Sequence, residues 1–165
     1  MPTANVNGIE VLYERSGDGP PLLFLNGSGA TLATTKPLID VFRSRFDVLV
    51  HDQRGLGGTA VPTGPYEMAD YAADALALLD HVGWDTALVA GISFGGMVAQ
   101  ELAVTAPERV ERLALLCTSP GGSSPSYPLH ELDGPTPAAL LDTRYDDEWL
   151  ATHDDDRALM AMITA

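Results

Sequence analysis

The chain has 165 residues, 45% hydrophobic and 7% aromatic, enough for one globular domain with its own core. A formal net charge of −14, from 23 acidic residues against nine lysines and arginines, excludes a nucleic-acid partner, because neutralising phosphates takes clustered basic side chains. Cys117 is the only cysteine, no apolar run approaches the ~20 residues of a membrane span, and the N-terminus reads as no signal peptide, so a cytoplasmic protein without internal disulfides or membrane contact is expected.

The first element is a hairpin over residues 3–14, where Asn7-Gly8 separates two alternating segments and both residues tolerate positive φ. PPLLFLNG (20–27) is a continuous apolar run ending in glycine, the pattern of a strand buried on both faces. A helix around 33–44 and a second buried strand, FDVLVHD (46–52), follow, and the turn QRGLGG closes that strand. Residues 67–82 place Met68, Tyr71, Ala72, Ala75, Leu76, Leu79 and Val82 on one helical stripe, and Gly83 stops the helix. TALVAGI (86–92), a helix over 94–106 ended by Pro107, and VERLALLC (110–117) complete the pattern. Strands alternating with helices predict β-α-β units and a doubly wound, mostly parallel sheet behind the N-terminal hairpin.

The texture changes at Thr118, where a stretch rich in Pro, Gly and Ser reads as loop. Two or three short helices are expected from about residue 137 onward. Nine acids between Glu131 and Asp156, against only Arg144 and the adjacent Arg157, read as a solvated face or mobile segment rather than an acidic docking surface.

The chemistry concentrates at Gly91-Ile92-Ser93-Phe94-Gly95. A serine between a buried strand and a helix, flanked by glycine at −2 and +2, fits a nucleophile elbow. The glycines are needed because strand and helix approach too closely there for a Cβ. Asn26-Gly27-Ser28-Gly29, directly after the first parallel strand, is placed to supply a second backbone donor to an oxyanion hole. The N–H groups of Phe94 and Ser28 would then hold the oxyanion, with Gly27 and Gly29 letting the backbone approach. The bland alternatives are a glycine-rich turn with an idle serine and a plain turn at 26–29.

Across about residues 4–119 these motifs, with Asp52-Gln53-Arg54-Gly55-Leu56-Gly57 between them, resemble the N-terminal half of the α/β-hydrolase superfamily. In texture they are most similar to cap-bearing esterases and lactonases of the 3-oxoadipate enol-lactonase type. The resemblance implies Ser93 as nucleophile, a structural role for the Asp-x-Arg-Gly-x-Gly turn, and a small ester or lactone substrate, with no metal or cofactor. It divides the chain into a core over 1–119 and a linker with a partial helical cap over 120–165. Asn26 stands where the family usually has histidine, and serine at the elbow departs from the aspartate of epoxide hydrolases and haloalkane dehalogenases.

A serine nucleophile needs a histidine, and in this architecture the order is Ser, then Asp or Glu, then His. His51 precedes Ser93 and ends a strand two positions away, ~10 Å across the sheet, so it reads as buried or turn-bonded. His81 suits the C-terminal end of a helix. His130 lies in the loop, preceded by only Glu101, Glu108 and Glu111 after the serine. His153 has the right order but sits in a short helix with no strand end to fix it. The family's acid and histidine follow later strands, so the reading expects both in a missing C-terminal half and the core truncated after its sixth strand. The apolar edge of 110–117, blunted only by Arg112, points to a second chain or copy completing the sheet. Two rival readings stay open: a non-catalytic binding module, and a relative with C–C hydrolase or cofactor-free haloperoxidase-like chemistry.

Overall fold

The computed structural model describes residues 1–120; the acidic segment, the short helices expected from about residue 137, His130 and His153 lie outside the described residues. The hairpin forms as β1 (Thr3–Val6) and β2 (Ile9–Ser16), with Val6 paired to Ile9. Asn7 at φ 48° and Gly8 at φ 78° make the turn. These positive values give the two-residue loop the twist of its flanking strands.

Four further strands follow: β3 (Pro21–Leu25), β4 (Asp47–His51), β5 (Ala87–Ile92) and β6 (Val110–Leu116). The sheet order is β1-β2-β4-β3-β5-β6, antiparallel up to β4 and parallel beyond it. Helices cover both faces. Helix α1 (Leu32–Phe42) packs Leu32 and Ile39 against Leu22, Phe24, Val48 and Val50. Helices α2 (Met68–Val82) and α3 (Phe94–Thr105) close the other face over Leu23, Leu25, Leu49 and Val89. Alternate residues of β3 and β4 thus serve two cores, which is why both strands read as unbroken apolar runs.

Helix α2 departs from its expected stripe. Leu78 and Asp74 are fully buried, whereas Leu76 is only half-buried. The helix packs against both β1 and α3, so its covered face is wider than one stripe. Asp74 is tolerated inside because Arg54 and Asn7 occupy its carboxylate oxygens. Gly83 ends the helix as expected, at φ 76°.

From β3 the chain goes first to β4 on one side and then to β5 on the other. Crossovers leave in opposite directions at the C-terminal ends of β3 and β5, the topological switch point where open α/β sheets bind ligands. The loop 26–29 and Ser93 follow those two strand ends. Among the described residues no helix is long and apolar enough to cross a membrane.

Candidate active site

Ser93 joins β5 to α3 at φ 54° and ψ −119°, a conformation that non-glycine residues rarely adopt. Its backbone is held from both sides. The Ser93 N–H donates to the Leu116 carbonyl at 2.9 Å, and the Ser93 carbonyl accepts the Thr118 hydroxyl at 2.7 Å and the Gly96 N–H at 2.9 Å. Strand β6 and the residues after it therefore fix the serine's strained turn, while its side chain stays exposed.

The flanking glycines are required by contact. A Cβ on Gly91 would run into the Gly95 carbonyl, and one on Gly95 into the carbonyl oxygens of Leu25 and Asn26. Strand β5, helix α3 and the end of β3 meet here backbone to backbone. Gly27 is looser: a Cβ there would sit 3.6 Å from the Ser93 Cβ, so the 26–29 loop lies directly against the serine.

Phe94 opens α3, so its N–H has no carbonyl within the helix to bond. Across the gap, the Ala30 N–H donates to the Gly27 carbonyl at 3.2 Å, a turn that leaves Ser28 and Gly29 exposed at its tip. The structure thus brings Ser93, Phe94, Gly27, Ser28, Gly91 and Gly95 together at one strand-end crevice.

Residues 52–58 brace that crevice. Asp52 accepts the Leu32 N–H at 2.6 Å and the Gly58 N–H at 2.8 Å, tying the start of α1 to the turn. The buried Gln53 donates from Nε2 to the Asn26 carbonyl at 2.8 Å, clamping the 26–29 loop. Arg54 bonds Asp74 through Nε and Nη2, each at 2.7 Å. Burial opposes charging the guanidinium, but the Asp74 bonds outweigh it and raise its pKa further. Asn26 is buried, and neither polar atom of its amide has a hydrogen-bond partner among the described residues.

A cavity of about 300 Å³ opens beside the site, lined by Ser28, Gln53, Arg54, Tyr66, Tyr71 and Phe94 among others. Tyr71 stands edge-on to Phe94, ring centres 5.0 Å apart, and edge-on to Tyr66 at 6.1 Å. Burial raises the Tyr71 hydroxyl's pKa, only partly offset by Arg54. The sequence reading missed Gln53, Tyr66 and Tyr71. A glutamine inside the Asp-x-Arg turn and two tyrosines five residues apart before and on α2 were the available signals.

Neither described histidine reaches the serine's strand. His51 ends β4 opposite Tyr13 of β2, and β3 separates it from β5. It is buried with Nδ1 unpartnered, and burial lowers its pKa to about 4 against the opposing pull of Asp74 and Asp52. His81, near the end of α2, sits 3.4 Å from the Tyr13 hydroxyl. Among the described residues no cluster of three or more His, Cys, Asp or Glu could hold a metal ion.

The family model for the alpha/beta hydrolase fold matches residues 20–149. The chain is 36% identical over 102 residues to 3-oxoadipate enol-lactonase 2 of Acinetobacter baylyi, covering 62% of this chain and 38% of that protein. It is 36% identical over 101 residues to a poly(3-hydroxyalkanoate) depolymerase of Ectopseudomonas oleovorans, covering 61% and 36%. The solved enol-lactonase of Burkholderia xenovorans LB400 superposes with a TM-score of 0.77 at 28% identity, over 99% of this chain and 66% of that one. The chain thus spans well under half the length of these two curated relatives.

Proposed function

This chain belongs to the alpha/beta hydrolase family, and from that membership we propose that it forms the nucleophile-bearing half of a serine hydrolase acting on a carboxylic ester, lactone or related acyl bond. The Ser93 hydroxyl attacks the acyl carbon while its proton passes to a base. The oxyanion lies between the N–H groups of Phe94 and Ser28, and collapse of the tetrahedral intermediate expels the alcohol and leaves an acyl-Ser93 ester. Water then adds to that ester by the same route, releasing the acid and restoring the hydroxyl. The observation that carries this reading is the strained Ser93 turn set against the 26–29 loop. Two of the relatives matched, an enol-lactonase and a depolymerase, support acyl chemistry.

The acid and histidine come, in this reading, from a C-terminal half beyond these residues. Two placements support it: His51 lies across the sheet and His81 pairs with Tyr13. The same half, or a second copy, would pair with β6, whose Leu113, Leu115 and Leu116 are 40%, 44% and 42% exposed. A fluorophosphonate with mass-spectrometric site mapping tests the nucleophile. Labelling of Ser93 that accelerates when the C-terminal half is supplied is expected; labelling elsewhere, or none with both halves present, would overturn it. The unpartnered Asn26 amide favours a second reading, a binding module that keeps the fold without the chemistry, and that reading predicts no labelling.

A further inference from the structure

The cavity beside Ser93 carries a charge arrangement that bears on what can enter it. Among the described residues Arg54 is the only charged side chain lining it. An arginine facing a ligand cavity ordinarily attracts carboxylates, because its planar fork matches their two oxygens. Here the fork is already occupied. Nε and Nη2 both bond Asp74 at 2.7 Å, and that pair is buried, with side-chain exposures of 7% and 2%. The remaining nitrogen, Nη1, faces Asp70 Oδ1 at 3.7 Å. One guanidinium is thus set against two carboxylates, a local sum of one negative charge.

The rest of the lining is apolar or neutral. Arg54 lies over the rings of Tyr66 and Tyr71, 5.5 and 5.8 Å from their centres, which spends its outer faces as well. Tyr66, Tyr71, Phe94 and Leu56 supply apolar surface, and its volume of about 300 Å³ is at the small end for ligand sites. A carboxylate entering here would lose its hydration and find the Arg54 guanidinium already paired to Asp74 and faced by Asp70. An uncharged ring or short aliphatic chain would meet the rings of Tyr66, Tyr71 and Phe94 and the side chain of Leu56, with no charge of its own to desolvate.

We infer that this cavity takes an uncharged aromatic or short aliphatic acyl group and rejects one bearing a carboxylate. The inference rests on Ser93 being the nucleophile for its link to acyl substrates. The charge preference itself is a binding property that needs no turnover. Phenylacetamide and 4-carboxyphenylacetamide form a matched pair that no serine hydrolysis step is needed to read. Their dissociation constants for the full chain can be measured by NMR titration, following aromatic protons of Tyr66 and Tyr71.

The neutral amide is expected to bind at least ten times more tightly than the carboxylate. Asp70→Asn removes the charge that flanks Nη1 and should narrow that ratio several-fold, mainly by improving carboxylate binding. Tyr66→Ala should weaken the neutral amide. Equal or tighter binding of the carboxylate by the unaltered chain overturns the inference, and so does the absence of binding by either amide. Loss of Ser93 labelling with the amide preference intact would sink the nucleophile reading alone.

Discussion

Arg54 and Asp74 meet in a two-point ion pair, 2.7 Å at each contact, that ties the turn after β4 to the middle of α2. Asn7 of the hairpin turn donates to the same carboxylate at 2.9 Å, so three separate segments converge on Asp74. Removing Arg54 would leave a buried carboxylate with one neutral donor. Arg54→Ala is expected to cost about 3–5 kcal/mol, the range for breaking a buried pair from one side. Replacing both partners, as in Arg54→Met with Asp74→Leu, should recover much of that loss. Urea unfolding of the three variants measures it, and an additive double variant would contradict the coupling.

The two glycines nearest the serine should respond differently to a methyl group. Gly95→Ala drives a Cβ into the backbone carbonyls of Leu25 and Asn26, which no side-chain rotation relieves. A loss of about 1–3 kcal/mol or more is expected, together with displacement of the Phe94 amide. Gly27→Ala meets its nearest atom at 3.5 Å, an ordinary contact, and should leave the unfolding midpoint nearly unchanged.

His51 makes stability depend on pH with a defined sign. Its folded pKa, lowered by burial to about 4, lies below the value of 6.5 it has in an unfolded chain. Between those values the unfolded chain binds a proton that the folded one refuses. Stability from this group is therefore complete above pH 6.5 and falls as pH drops toward 4, by about 3 kcal/mol in all. His51→Gln should flatten the difference between unfolding midpoints at pH 7.5 and 4.5, whatever it does to either value alone. An unchanged difference would show that His51 titrates normally.

Most of the fold was legible because its strands are buried on both faces. Leu22–Leu25 and Val48–Val50 alternate between two cores, so nothing polar interrupts their runs. The serine turn was legible for a related reason, since only glycine fits at 91 and 95 and the spacing shows in the sequence. What stayed hidden were contacts between distant polar residues. Asp74 looks like a surface position on α2, and its pairing with Arg54, twenty residues earlier, together with the Asn7 amide, explains its burial. The Gln53 clamp on the Asn26 carbonyl is likewise a tertiary hydrogen bond without periodicity. Tyr71 reads as a helix-stripe residue until the fold sets it between Tyr66 and Phe94.

Strand β6 is one of the two edge strands of the described sheet, opposite β1, and three of its leucines are about two-fifths exposed. Association through that edge is expected, either with a second copy or with the C-terminal half. Sedimentation velocity over a concentration series should show it, and Leu115→Lys should weaken it. A chain that sediments as a monomer at every concentration, alone and mixed with that half, would rule the pairing out.

The last expectation concerns turnover. The chain alone should hydrolyse p-nitrophenyl esters weakly or not at all, although the strained Ser93 turn lies against the 26–29 loop. A serine without its base is a poor nucleophile, and enzymes lacking one triad member keep only ~10³–10⁴-fold catalysis over water, from the oxyanion hole and binding. Supplying the C-terminal half, fused or as a second polypeptide, should raise the rate by several orders of magnitude. Ser93→Ala should abolish that gain. His153→Ala should leave it intact, because the base is expected in the added half. Brisk hydrolysis by the chain alone that disappears on His153→Ala would place the base within these 165 residues and overturn the two-part reading.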